Sequence, residues 1–123
     1  MLQSTILIML NTNVMSLKEK YCLTFYSKLE SGVKYDFCQS SLTDYAVLSF
    51  LRDIDKFDGQ ELINDLNECM SRHTNIDAGY LSDPIEYMTI GYEYPNVNIN
   101  DVLSMPMSDL EGLLQEWLSY ISQ

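Results

Sequence analysis

Apolar positions recur with period two in some stretches of this chain and with period three to four in others, and the switches mark its elements. The run Lys20-Tyr21-Cys22-Leu23-Thr24-Phe25-Tyr26-Ser27 is rich in strand formers. Glu30-Ser31-Gly32 carries turn chemistry, and Val33-Lys34-Tyr35-Asp36-Phe37 alternates apolar with polar as a half-buried strand does. Together they predict a hairpin. A helix over 16–30 competes with it, because Leu17, Tyr21 and Phe25 lie four apart.

Ser40-Ser41-Leu42-Thr43-Asp44 reads as a helix start, with Ser as the capping acceptor and Asp44 near the positive helix end. Val47, Phe50, Leu51 and Ile54 then keep the helical period, and this helix is expected to end near Asp55-Lys56. Asp58-Gly59-Gln60-Glu61 has capping-box spacing, followed by a stripe of Leu62, Ile63, Leu66, Cys69 and Met70 that should fray by Thr74-Asn75. Residues Asp77 to Pro84 carry loop chemistry. Tyr87 to Tyr94 reads as a strand, Pro95-Asn96 as a turn and Val97 to Asn100 as a second strand, with Gly91 marking a bulge or a close approach. The last element is a helix opened by the box Ser108-Asp109-Leu110-Glu111 after Pro106. Its stripe of Leu110, Leu113, Leu114, Trp117, Leu118 and Ile121 faces the core with Trp117 as anchor, and Gly112 weakens it by about 1 kcal/mol relative to Ala. The expected fold class is α+β, about three helices packed on one small, mostly antiparallel sheet.

Composition agrees with a folded chain. The 123 residues fit one domain, with residues 1–14 an extension if Met15 is the start. A domain of this size buries roughly 65% of its unfolded surface, so it needs no disulfide or metal to fold. The apolar run Thr5 to Leu10 lacks the basic flank and cleavage site of a signal peptide and is too short to span a bilayer. Cys22, Cys38 and Cys69 form no C-x-x-C pair and are odd in number, which points to reduced thiols and a cytoplasmic setting, with a single disulfide as the alternative.

Charge changes the picture most. The net charge is −11, and no Lys or Arg follows Arg72, whereas Asp77, Asp83, Glu86, Glu93, Asp101, Asp109, Glu111 and Glu116 all do. A field of one sign repels nucleic acid and anionic membranes and steers basic proteins. The lysines of the first third are interleaved with Glu19, Glu30 and Asp36, so no basic stripe for nucleic acid results.

No catalytic constellation is expected. His73, the single histidine, lies four residues from Cys69, but a thiol on an apolar stripe has neither access nor a lowered pKa. Asp53 to Gly59 resembles a calcium loop only superficially, because the sixth position is Asp58 rather than Gly and the twelfth is Asn64 rather than Glu. No phosphate-binding glycine loop or nucleophile elbow occurs, and neither metal nor cofactor is expected. The stretch from Asp77 to Asp101 is the candidate partner surface. Asp77, Asp83, Glu86, Glu93 and Asp101 would steer a basic partner, and Tyr80, Tyr92 and Tyr94 would anchor it. The alternative is that these tyrosines are half-buried sheet residues and the acids solubilise.

The ending Ser108-Asp109-Leu110-Glu111-Gly112-Leu113-Leu114-Gln115-Glu116-Trp117-Leu118, on a small acidic α+β chain, resembles immunity proteins of bacterial polymorphic toxin systems, in particular those protecting against contact-dependent growth inhibition toxins. The resemblance implies a cytoplasmic protein that neutralises one cognate toxin domain, often a basic nuclease, by covering its active site or a nearby surface. Leu42-Thr43-Asp44-Tyr45 with Phe50-Leu51 is also similar to the first helix of colicin nuclease immunity proteins, but their Tyr-Tyr-Pro signature is missing and the strand patterns argue against their all-helical fold. Two other functions fit an acidic, non-catalytic chain: a nucleic-acid mimic that inhibits DNA-binding proteins, and an adaptor subunit.

Overall fold

The computed structural model describes residues 15–75, the backbone of 81–82, and residues 88–123. The loop expected over 77–84, the start of the strand at Tyr87 and the run Thr5 to Leu10 lie outside the described residues. The class is α+β, but the strands form two antiparallel sheets rather than one.

The first sheet is the expected hairpin. Strands β1 (Leu23–Glu30) and β2 (Val33–Ser40) pair from Leu23↔Ser40 to Glu30↔Val33. Ser31 and Gly32 close it with φ of 52° and 80°, the positive pair that two-residue hairpin loops favour. The competing helix over 16–30 survives only as one turn, α1 (Leu17–Lys20). Cys22, at φ 56°, reverses the chain out of that turn and into β1.

The next element is a 3-10 helix, Thr43–Asp53, where an α-helix was expected. Tyr45, Leu48, Leu51 and Ile54 lie three apart, which is the 3-10 repeat, and the last three are buried. No side chain caps its start. Ser40 instead holds the chain before it, its hydroxyl donating to Leu42 O (3.0 Å) and accepting from Leu42 N–H (3.1 Å). The helix packs on β2.

Helix α2 (Lys56–Arg72) starts earlier than expected. Its cap is Asp55, whose Oδ1 accepts from Asp58 N–H at 2.7 Å, so Asp58 lies inside the first turn. Leu62, Ile63, Leu66 and Cys69 are buried, and His73 ends the helix in the left-handed conformation.

The second sheet has the order β3 (Leu81–Ser82), β4 (Ile90–Glu93), β5 (Asn96–Ile99), β6 (Leu103–Pro106). Gly91 pairs with Asn98 and with Leu81 in unbroken register, so it marks no bulge. Strand β6 escaped the sequence reading because it is short, ends in Pro and exposes alternate residues. Asn100 and Asp101, both at positive φ, turn the chain into it, and Val102 N–H donates to Ile99 O.

Helix α3 (Met107–Ile121) ties the layers together, touching α1, α2, β5 and β6. It begins before the expected box: Pro106 is the cap, Ser108 is its second residue, and Met107 N–H donates to Pro95 O at 3.0 Å. Trp117 is the anchor that its stripe suggested. It is 1% exposed, its indole N–H donates to Ile54 O at 2.8 Å, and Phe25 of the hairpin meets it edge-on at 5.1 Å. Gly112 and Gly59 allow close packing. A Cβ on Gly59 would lie 2.6 Å from Leu118 Cδ2, and one on Gly112 would overlap Leu17 Cδ1.

Candidate partner-binding surface

Strand alternation sorts the second sheet into two faces. Ile90, Tyr92, Val97, Ile99 and Met105 point inward and are buried. The outward rows are Gly91–Asn98–Ser104 and Glu93–Asn96–Pro106. In the described residues the outer face therefore carries small and amide side chains with one carboxylate, and Asp101 is exposed in the turn at its end.

This sorting places two of the expected anchors. Tyr92 is 4% exposed and belongs to the core, because its register places it beside Val97 and Met105. Its hydroxyl donates to Asp65 of α2 at 3.3 Å. It is thus not a free surface ring, and it corrects the reading that made it one. Tyr94 is half-buried and ties the strand end to the end of α2: its hydroxyl bonds His73 Nδ1 at 2.7 Å, and its N–H donates to Asn75 Oδ1 at 2.9 Å. Glu93 and Asp101 are exposed, as steering charges need. Asp77, Tyr80, Asp83 and Glu86 lie outside the described residues.

The charge count missed a ridge on α2. Asp58, Glu61, Asp65 and Glu68 recur every three or four residues along α2 and share one side of it. The Tyr92–Asp65 bond joins this ridge to the sheet. Burial raises the Asp65 pKa, the Tyr92 hydrogen bond pulls it down, and the charge of Glu68 adds to the rise. Glu68 is itself paired with Arg72 at 3.1 Å. The periodicity of the acids was legible on the wet face of the expected helix; its nearness to the strand was not.

Other acids of the one-signed half hold the fold instead. Asp109 accepts from Tyr21 Oη (2.5 Å) and Lys20 Nζ (2.9 Å). Burial works against its ionisation, but these bonds and the Lys20 charge outweigh it and leave its pKa below the usual 3.8. Glu116 accepts from Leu17 N–H and Lys18 N–H.

Cys69 is fully buried, and His73 turns to Tyr94. Cys38 is buried with its thiol donating to Leu48 O, and burial pushes its pKa up to about 12. The three cysteines are free thiols. Asp55 of the superficial calcium loop is spent as a helix cap. Among the described residues no group of three or more His, Cys, Asp or Glu is placed to hold a metal, and no helix is long and apolar enough to cross a membrane.

Comparison with protein-family models, with curated proteins and with solved structures finds no match.

Proposed function

We propose that this chain is a cytoplasmic immunity protein, which binds a basic toxin domain and neutralises it by covering its active site or a nearby surface. The observation that carries the reading is the segregation of charge. No Lys or Arg follows Arg72, Glu93 and Asp101 are exposed on the second sheet and its turn, and Asp65 of the acidic ridge on α2 is bonded to that sheet through Tyr92. A nuclease must carry positive charge to hold a polyanion, so a carboxylate surface complements it. Such association is fast, steered and sensitive to salt. The anchors that set the affinity are few, and Tyr94, at the seam between β4 and α2, is the described aromatic best placed to be one.

The test is a pull-down with the C-terminal domain encoded directly upstream of this chain, at low and at high salt, alongside a toxicity assay. A complex that abolishes toxicity and weakens when Glu61, Glu68, Glu93 and Asp101 are reversed to Lys is the expected result. Binding that ignores those reversals and the salt puts the surface elsewhere. If no complex forms with the folded chain, the proposal fails, and broad inhibition of unrelated DNA-binding proteins would make the chain a nucleic-acid mimic.

A further inference from the structure

The hairpin carries a second surface, of different chemistry. In an antiparallel pair every other residue turns its N–H and C=O away from the partner strand. Ser41 N–H donates to Cys22 O at the base of the hairpin, and β1 and β2 pair without a break up to Glu30↔Val33. That parity aims the backbone groups of Phe25, Ser27 and Leu29 outward. Among the described residues no hydrogen bond reaches them. Among the described residues strand β1 is therefore an open edge, and Leu29 at its far end is 77% exposed.

Two ammonium groups flank that edge, one on each face. Lys18 Nζ lies 5.3 Å from the centre of the Phe25 ring, on the face turned to α3. Lys28 Nζ lies 5.8 Å from Tyr26 and 5.6 Å from Phe37, two rings stacked at 5.2 Å on the opposite face. In a chain of net charge −11 both lack a carboxylate within ion-pair distance among the described residues, whereas Lys20, Lys34 and Arg72 each have one. A cleft of about 460 Å3 opens at Phe25 between α1 and the last turns of α3, with Lys18, Ser119 and Tyr120 in its wall beside Glu116, whose carboxylate is engaged by the Leu17 and Lys18 N–H groups.

We infer that the open edge of β1 takes an extended acidic strand of a partner protein, which continues the hairpin by main-chain hydrogen bonds to Phe25, Ser27 and Leu29 and sets carboxylates against Lys18 and Lys28. Strand addition to a free edge draws affinity from backbone bonds and specificity from side chains that alternate between the two faces. The lysines stand on opposite faces, so adjacent acids in the incoming strand meet both. Lysine on an edge also discourages pairing with an identical edge, which favours an acidic partner over a second copy. This site is separate from the carboxylate surface proposed for a basic toxin and opposite to it in sign.

The probe is a short synthetic peptide of Thr and Val with two adjacent Glu at its centre, and its match with Lys in place of Glu. The acidic peptide should shift the amide resonances of Phe25, Ser27 and Leu29 and slow their hydrogen exchange, and the Lys peptide should do neither. Leu29→Pro removes an outward backbone N–H at an exposed residue, so the fold survives, and it should weaken binding about tenfold. Lys18→Glu and Lys28→Glu should each weaken it about threefold, with loss of salt dependence. The inference is overturned if these amides do not respond to the acidic peptide, if Leu29→Pro and the charge reversals leave its binding unchanged, or if the amides are already protected in the free chain. Protection that rises with protein concentration alone would assign the edge to a second copy. Toxin binding by the other surface is unaffected by these substitutions, so the two proposals fail separately.

Discussion

Glu116, beyond the midpoint of α3, caps α1 at Leu17: one carboxylate oxygen accepts Leu17 N–H at 2.8 Å and the other accepts Lys18 N–H at 3.0 Å. A helix of four residues cannot sustain itself in water, since nucleation costs more than one turn returns. Its first amides have no partners within the helix. Glu116 supplies two, and Ser16 Oγ takes Glu19 N–H at 3.3 Å. Glu116→Ala should destabilise the protein by about 1–3 kcal/mol in chemical denaturation and speed hydrogen exchange at Leu17 and Lys18. Glu116→Gln keeps one carbonyl acceptor and should recover part of that.

Asp109 and Asp65 predict opposite pH responses. The folded pKa of Asp109 lies below 3.8, because the bonds from Tyr21 and Lys20 overcome its burial. Its contribution is complete above pH 3.8 and is lost as pH falls through the lower folded value. The Asp65 pKa is raised, chiefly by burial, so its contribution is present below 3.8 and is lost as pH rises through the folded value. Asp109→Asn should therefore lower stability at pH 7 and flatten the acid limb of a stability–pH curve. Asp65→Asn should leave stability at pH 7 equal or higher, since the amide oxygen still accepts from Tyr92. Thermal melts from pH 2 to 7 on both variants check the two signs.

Two helical glycines should respond differently to alanine. At Gly59 three atoms of Leu118 crowd the new methyl, including Cγ at 3.2 Å, so Gly59→Ala should cost about 1–3 kcal/mol. At Gly112 the overlap is with the tip of Leu17, which can turn aside, while Ala gains about 1 kcal/mol of helix propensity. Gly112→Ala should fall within about 1 kcal/mol of the parent. Urea midpoints compare them directly.

Trp117→Phe keeps an aromatic ring but strands the carbonyl of Ile54, a residue 2% exposed. The loss should be about 2–3 kcal/mol, more than the ring area alone predicts, because a buried acceptor is left without its donor. Loss of near-ultraviolet dichroism before loss of helix signal would show where unfolding starts.

Tyr92→Phe should leave the affinity for a basic partner within about threefold, since the ring is buried and its hydroxyl bonds Asp65 within the fold. Isothermal titration with the cognate domain checks it. A larger loss would make Tyr92 an interface residue despite its burial.

The amphipathic stripes of α2 and α3, the turn at Ser31-Gly32 and the hairpin from Pro95 onward were legible because each rests on local chemistry: apolar spacing, a positive-φ pair, a residue that cannot donate. The helix starts were misplaced by two to three residues, at Asp55 and Pro106 instead of Asp58 and Ser108, because several neighbouring residues can cap and only the packed helix axis selects one. The 3-10 character of 43–53 was present in the spacing of Leu48, Leu51 and Ile54 but indistinguishable from an α stripe over so short a run.

What the chain determined by itself is its class, its one-signed second half and its core anchor Trp117, all properties of composition and period. Tertiary structure decided which of those charges and rings face solvent. Glu116 and Asp109 count as surface acids until α1 lands on them, and Tyr92 counts as an anchor until the β4–β5–β6 register turns it inward. Charge is a property of residues, whereas exposure depends on contacts between residues 27 to 99 positions apart, which no local pattern encodes.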